Sequence, residues 1–128
     1  MPRISRGFKP RNKYNAKTIV IDGIEFPSHA EGNYYKQIRY SGAEFKLHES
    51  FKIIDSFKLG PRTYRGAVYT PDVSFYHDGV LVSVVDVKGG NATLTDAAKL
   101  RMKAFMHRYK VPVIIARYSH GRFEEEQL

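Results

Sequence analysis

The sequence contains no cysteine and no tryptophan among its 128 residues. Without cysteine the chain can form no disulfide, no thiolate nucleophile and no zinc site with sulfur ligands. The lack of disulfides also argues against a small secreted protein. No apolar run reaches the roughly 20 residues that a membrane helix needs, and no apolar segment follows the basic N-terminus as it would in a signal peptide. We therefore expect a soluble, intracellular protein.

Acidic residues are also missing from the first 21 positions, where six basic residues lie. The other 15 basic residues face all 13 acidic ones, so most of the net charge of +8 comes from the N-terminus. Length and composition predict a flexible basic arm at residues 1–17 and a single domain at residues 18–128. Such an arm favours a polyanionic partner, because contacts to phosphates release counterions, although a merely solubilising tail has the same composition. The arm residues predicted to contact nucleic acid are Arg3, Arg6, Lys9, Arg11, Lys13 and Lys17.

Turn and cap residues divide the rest of the chain into short elements. Asp22-Gly23 between two apolar stretches predicts a tight hairpin, and Ser28 predicts the start of a helix. Residues 59–65 are predicted to form a basic loop. The order that follows the hairpin, α-β-β-β-α-β, predicts an α/β fold with a mixed sheet flanked by helices. The predicted elements are strands at 18–21 and 24–26, a helix at 28–40, strands at 43–54, 67–76 and 80–88, a helix at 95–109 and a strand at 111–118.

Asp72, Asp86 and Lys88 are the residues that point most clearly to chemistry. Side chains alternate along a strand, so Asp86 and Lys88 share one face of the sheet. Asp72 joins them if residues 77–79 form a three-residue loop, because Asp72 then pairs with Val84 and lies roughly 7–8 Å diagonally from Asp86. A two-residue turn would place Asp72 on the opposite face. The chemical interpretation therefore predicts the three-residue loop.

The strand that carries Asp86 and Lys88 is otherwise apolar. Burying both charges is costly unless they pair or meet a metal ion. One interpretation is an Asp–Lys ion pair at the edge of a sheet. The other is a site for Mg²⁺ or Mn²⁺, since carboxylates suit hard cations, and such an ion can activate water and neutralise a phosphate. Lys88 would then orient the attacking water or stabilise the transition state.

Pro71-Asp72 followed by Asp86-Val87-Lys88 resembles the motif of the PD-(D/E)XK nuclease superfamily. The wider sequence is similar to a phage and prophage endonuclease family within that superfamily, formerly of unknown function. The resemblance implies a restriction-endonuclease-like core and a Mg²⁺- or Mn²⁺-dependent deoxyribonuclease, located in the host bacterial cytoplasm if the chain is phage-encoded. The similar stretches are residues 13–17, 22–28, the helix with Glu31, 69–73 and 85–89.

Members of the superfamily often add an acidic residue from the first helix, and Glu31 matches that place. The resemblance thus implies Glu31, Asp72, Asp86 and Lys88 as catalytic residues, with the three acids as metal ligands. Ser28 and Glu31 also match a capping box, in which the glutamate stabilises the start of the helix, and the two roles do not exclude each other. None of the five histidines shows paired ligand spacing. We treat all five as non-ligands, with His48 a remote candidate for the cleft.

Further basic residues are predicted to contact the DNA backbone. Lys99 and Lys103 lie four positions apart on the second helix, and Arg62 and Arg65 precede the strand of Asp72. A solvated helix face explains the two lysines equally well. The positions of the second helix that are predicted to be core are Ala97, Leu100, Ala104, Phe105 and Tyr109.

Two functions remain open from the sequence. The first is a metal-dependent DNA endonuclease that selects branched DNA such as Holliday junctions, as small members of the superfamily do, and works as a homodimer. A two-fold dimer suits a four-way junction, which is cut at two symmetry-related points. The second is a non-catalytic nucleic-acid-binding or recombination accessory module of the same fold. Sequence-selective cutting is disfavoured, because so short a chain has no room for a separate reading domain and basic patches grip phosphates without reading bases.

Overall fold

The computed structural model of the protein describes residues 18–128. The chain divides into two compact units, Met1–Ser41 and Gly42–Leu128. The predicted basic arm lies outside the described residues. So do its six predicted nucleic-acid contacts, which are Arg3, Arg6, Lys9, Arg11, Lys13 and Lys17.

The first unit is a β-hairpin followed by a helix. Strands β1 (Ile19–Ile21) and β2 (Ile24–Phe26) are joined by the predicted two-residue turn, in which Asp22 and Gly23 both have positive φ. Helix α1 (His29–Ile38) begins after Ser28, whose hydroxyl accepts a hydrogen bond from the Glu31 backbone N–H at 3.1 Å. Gly32 lets the helix approach β1 closely, since a Cβ there would lie 2.7 Å from Ile19 Cγ2. The hairpin and the N-cap that the sequence predicts are thus confirmed.

The second unit is built on a five-stranded mixed sheet. Strand β9 lies at its centre, parallel to β10 and antiparallel to β8, and the full order is β11-β10-β9-β8-β3. The α/β class with a mixed sheet is confirmed. The elements of this unit are β3 (Glu44–Leu47), β4 (Phe51–Ile54), β5 (Phe57–Leu59), β6 (Arg62–Tyr64), β7 (Ala67–Tyr69), β8 (Val73–His77), β9 (Val80–Gly89), α2 (Asp96–Tyr109), β10 (Val113–Ser119) and β11 (Arg122–Gln127).

Several predicted strands are interrupted. The predicted strand 43–54 is two strands, β3 and β4, which lie in different sheets on either side of His48, a residue with positive φ. The predicted strand 67–76 is broken at Pro71-Asp72 into β7 and β8, because proline has no N–H to continue the ladder. The predicted basic loop at 59–65 contains most of a hairpin, β5 and β6. Strand β11 was not predicted, since its glutamates resemble a solvated tail.

Helix α2 covers the sheet with an aromatic core. Met102 and Phe105 are buried against Phe51, Tyr69 and Val84. The prediction that Ala97 and Leu100 are core residues is wrong: Ala97 is exposed, and 65% of the Leu100 surface is exposed. The apolar stripe that packs inward is the one of Ala98, Met102, Phe105 and Tyr109, at the three- and four-residue spacing of a helix. Neither α2 nor α1, the two helices within residues 18–128, has the length and apolar character to cross a bilayer.

Candidate active site on the central sheet

The turn between β8 and β9 differs from the prediction. His77 pairs with Val80, so the turn contains two residues, Asp78 and Gly79, with φ of 51° and 79°. The prediction of a three-residue loop is therefore wrong. Two-residue hairpin turns in which both residues have positive φ favour the sequence Asp-Gly. Their backbone twist matches the twist of the flanking strands.

A β-bulge in β9 brings Asp72 back to the face of the sheet that carries Asp86. The register shifts by one residue between Phe75↔Ser83 and Tyr76↔Leu81, which leaves Val82 as the extra residue. Beyond the bulge Val73 pairs with Val85, and continuing that register places Asp72 opposite Asp86 rather than opposite Val84. Directly opposed residues of an antiparallel pair point to the same face. The two-residue turn alone would have sent Asp72 to the other face, and the bulge reverses that effect.

Asp86 is a buried carboxylate held by a tyrosine. It is 8% exposed in the middle of the sheet, and the Tyr69 hydroxyl donates a hydrogen bond to its Oδ2. Burial and the charge of Asp86 together raise the pKa of Tyr69 far above its ordinary value, and the charge of Asp72 adds to the effect. Tyr69 therefore stays protonated and remains a donor. Both carboxylates lie near enough to act on this one hydroxyl.

The carboxylate of Asp72 is fixed by the backbone of β9. The Val87 N–H donates to Asp72 Oδ2 at 2.7 Å, and the Asp72 carbonyl accepts from the His48 N–H at 3.1 Å. Because Val87 lies between Asp86 and Lys88, this bond sets the Asp72 carboxylate beside the stretch of β9 that carries both. Asp72 lies in the break between β7 and β8, and its side chain accepts the bond from the Val87 N–H there.

Lys88 is half-buried, two residues after Asp86 and thus on the same face of β9. The interpretation of the motif as an Asp–Lys pair at a sheet edge does not hold. Strand β9 is central, between β8 and β10. Within residues 18–128, no ion pair joins Lys88 to Asp86. The charge of Asp86 is therefore not balanced by the lysine next to it.

A cavity of about 300 Å³, here called the Asp86 cavity, opens beside Asp86 and Tyr69. Its one cationic wall residue is Arg101 of α2, which is exposed, whereas Lys99 and Lys103, the predicted phosphate contacts, do not line it. The sequence signal for Arg101 was its helical spacing from Ala98, which faces the sheet. The lining residues are Val68, Tyr69, Thr70, Asp86, Ala98, Arg101 and Met102.

His48 is predicted from the sequence to be a non-ligand and a remote candidate for the cleft. It directly follows β3 with a φ of 54°, and one of its ring nitrogens lies within 4.8 Å of an Asp72 carboxylate oxygen. An imidazole nitrogen is a softer ligand than a carboxylate oxygen and suits transition metals such as zinc, iron and copper. No spacing rule could have found His48, because its neighbour is 24 positions away.

The other predicted site residues are placed as follows. Glu31 is buried on α1 of the first unit, where its backbone N–H takes part in the helix cap. Its role as a metal ligand stays a prediction. Arg62 and Arg65 are exposed, on β6 and just after it, and their contacts to DNA stay predictions as well.

Comparisons with known proteins give a family and a fold. No curated protein matches the sequence. The crystal structure of SSO0001 is similar with a TM-score of 0.51 and 10% identity, over 76% of this chain and 47% of that chain. At this identity the likeness concerns the fold alone, and this chain spans about half the length of SSO0001. The family described as "Protein of unknown function (DUF1064)" matches residues 11–118, and the chain therefore belongs to the DUF1064 family.

Proposed function

We propose that this protein is a metal-dependent endonuclease that hydrolyses DNA phosphodiester bonds on a restriction-endonuclease-like core. The observation that carries the proposal is the placement of two carboxylates, Asp72 and Asp86, at one point of the central sheet, with Lys88 on the same face. Asp86 is buried and Asp72 is tied to the next peptide of β9. The resemblance to the PD-(D/E)XK motif concerns the same residues.

The donor set fits a divalent cation. Two neighbouring carboxylates repel each other, and one of them is buried without an ion-pair partner among residues 18–128, so a cation would remove an electrostatic cost. Carboxylate oxygens suit Mg²⁺ and Mn²⁺, and between these two the imidazole of His48 would favour Mn²⁺, the transition metal. Asp72 and Asp86 would hold the ion. Glu31 is the third ligand predicted from the resemblance to the superfamily. The ion would supply Lewis acidity, which activates water and offsets charge on the phosphate.

The side chains around the acids would orient the reacting groups. The Tyr69 hydroxyl donates a hydrogen bond to Asp86 Oδ2, and the Val87 N–H donates one to Asp72 Oδ2, so both carboxylates are held in place. Lys88 would donate hydrogen bonds to the attacking water and to the phosphate oxygen on which charge grows. Arg101, at the wall of the Asp86 cavity, would pair with a phosphate of the DNA strand.

The substrate follows from the resemblance. Branched DNA such as a Holliday junction, cut by a homodimer, is the preferred proposal, and the arm residues together with Arg62, Arg65, Lys99 and Lys103 would contact phosphates outside the cleavage point. The alternative is a non-catalytic nucleic-acid-binding or recombination accessory module. It would bind the same DNA without needing Asp72, Asp86 and Lys88 together.

A cleavage assay separates these proposals. Purified protein is incubated with a synthetic four-way junction and with a linear duplex of the same length, in Mg²⁺, in Mn²⁺ and in EDTA. We expect cleavage of the junction in either metal, weaker cleavage of the duplex, and none in EDTA. Equal cleavage of both DNAs would remove the junction preference and leave the nuclease. Binding without cleavage in any metal would favour the accessory module.

Arg101→Ala is expected to lower kcat/KM for cleavage by roughly 10- to 100-fold, since a charge-assisted contact to a phosphate is worth about 1.5–3 kcal/mol. The control is Lys36→Ala, which removes one positive charge from an exposed position on α1, outside the Asp86 cavity and outside the predicted DNA contacts. We expect the control to change kcat/KM by less than about threefold, as distant exposed charges are screened. Equal losses in the two variants would contradict a specific role of Arg101.

A further inference from the structure

The hairpin of β5 and β6 is a separate two-stranded sheet. Its pairs are Phe57↔Tyr64, Lys58↔Thr63 and Leu59↔Arg62, and it shares no ladder with another described strand. Every residue of the hairpin, Phe57 to Tyr64, is exposed. The apolar side chains of this hairpin are therefore not buried in the core of the unit.

The hairpin has an aromatic face. Cross-strand pairs point to the same side, so Phe57, Leu59, Arg62 and Tyr64 lie together. The rings of Phe57 and Tyr64 stack with centroids 5.0 Å apart at an angle of 16°. Even so, 48% of Phe57 and 67% of Leu59 remain exposed. The stacked pair is thus a platform whose remaining surface is open to a flat ligand.

All charged side chains of the hairpin and its flanks are positive. Between Ser56 and Thr70 the sequence has no acidic residue, and its charged residues are Lys58, Arg62 and Arg65. The nearest acid before this stretch, Asp55, is bound to Arg108 and Lys52 at the base of the hairpin. Aromatic rings together with cations that no acid balances are the combination that proteins use for single-stranded nucleic acid. Charge complementarity favours a polyanion over a protein partner.

The hairpin continues the ribbon that holds the candidate site. Strands β4 and β7 lead into it, with Ile54 paired to Ala67, and β7 ends at Tyr69, the partner of Asp86. The two arms come together at Gly66, where a Cβ would lie 2.4 Å from the Ile54 carbonyl oxygen. Only glycine fits there without a shift of the backbone. The hairpin therefore leaves the core at a defined place, Gly66, three residues before Tyr69.

We propose that the hairpin Phe57–Tyr64 binds unpaired nucleotides of DNA. A base stacks on the Phe57–Tyr64 platform, Arg62 on the same face binds an adjoining phosphate, and Leu59 near the tip separates the base from its neighbour. Lys58 lies on the opposite face and adds positive charge to the hairpin without touching this base. This inference rests on the proposed function, since it takes DNA as the substrate, and it assigns the recognition of branched DNA to this element. Forked DNAs expose such bases where their two strands separate.

The test measures binding in EDTA, so that it does not depend on catalysis. The probes are a linear duplex and the same duplex with a short single-stranded gap that contains 2-aminopurine, whose fluorescence reports on base stacking. The alanine variant carries both Phe57→Ala and Tyr64→Ala. The ring-preserving variant carries both Phe57→Tyr and Tyr64→Phe. Tyr40→Ala is the control, because Tyr40 is an aromatic residue, 82% exposed, outside the hairpin. Near-ultraviolet and far-ultraviolet circular dichroism verify that each variant is folded.

We expect the alanine variant to bind gapped DNA roughly 5- to 150-fold more weakly, since each stacked base contributes that much to affinity. Its affinity for linear duplex should change less than about twofold, and the change in 2-aminopurine fluorescence should vanish. The ring-preserving variant and Tyr40→Ala should behave as the native protein does. Equal weakening on both DNAs, or unchanged binding to gapped DNA, overturns the inference, and unchanged binding would direct the search to a protein partner. If cleavage is never observed but gapped DNA is still preferred through the two rings, the proposed function fails and the hairpin inference stands.

Discussion

Asp86→Asn is expected to lower the rate of DNA cleavage by roughly 10³-fold or more, because a metal site contributes several kcal/mol to the stability of the transition state and each 1.36 kcal/mol is a factor of ten. The substitution removes the charge of the buried carboxylate and leaves its shape. Asparagine can still accept the hydrogen bond of Tyr69 through its side-chain oxygen, so the packing around β9 should be unchanged. The measurement is single-turnover cleavage of the four-way junction in saturating Mg²⁺ or Mn²⁺.

The control for this substitution is Asp78→Asn. It makes the same chemical change in the β8–β9 turn, where the side chain is 91% exposed. Asparagine accepts positive φ at this turn position as well as aspartate does, so neither stability nor cleavage should change. Full cleavage by Asp86→Asn, at native rates and with unaltered metal dependence, would mean that the chemistry takes place elsewhere or that there is none.

Phe105→Ala is expected to lower the free energy of unfolding by about 3–5 kcal/mol, the usual cost of deleting a buried aromatic ring. Phe105 is fully buried, and its ring lies 5.2 Å from that of Phe51, 5.3 Å from that of Tyr69 and 5.0 Å from that of Tyr109. A cavity at this point removes contacts from three aromatic residues. Because Tyr69 holds Asp86, we also expect the variant to cleave DNA more slowly below its melting temperature. Urea denaturation followed by circular dichroism gives the free energy.

The matched control on the same helix is Leu100→Ala, which deletes an aliphatic side chain that is 65% exposed. Its expected effect is within about 0.5 kcal/mol, as for most surface substitutions. The two variants together test which face of α2 packs on the sheet. A loss of several kcal/mol at Leu100, with little effect at Phe105, would show that the helix packs with the other face, as the sequence pattern alone allowed. Should Phe105→Ala fail to fold, Phe105→Leu retains most of the volume and should show a smaller loss.

The elements predicted correctly from the sequence are those with a local chemical cause. Asp22-Gly23 specifies its turn because both residues accept positive φ, and Ser28 and Thr95 cap their helices because their hydroxyls accept from N–H groups three residues ahead. The three-residue turn at His77 was wrong although Asp78-Gly79 carries the same signal as Asp22-Gly23. A shared face for Asp72 and Asp86 requires either a longer turn or a bulge in one strand, and no residue type marks Val82 as bulged.

The parts of the candidate site that depend on distant contacts could not be predicted. Tyr69 meets Asp86 across 17 positions, and His48 meets Asp72 across 24, because separate strands bring them together. The face of α2 that packs on the sheet could not be predicted for a related reason. Its apolar residues, among them Leu100 and Met102, surround much of the helix, and only packing on the sheet selects Met102 for the core. The Asp72, Asp86 and Lys88 pattern was accessible because its members lie on two consecutive strands.

The acidic strand β11 has a consequence for how copies of the protein behave at high concentration. Without it, β10 would be the last strand of the sheet and would offer an open row of N–H and C=O groups to any other extended chain. With it, the outermost strand carries Glu124, Glu125 and Glu126, all exposed, so a second copy that docks edge to edge brings like charges together. The same carboxylates repel a nucleic-acid backbone. This side of the molecule thus resists edge-to-edge aggregation, and the proposed contacts to DNA phosphates would lie on the remaining surface.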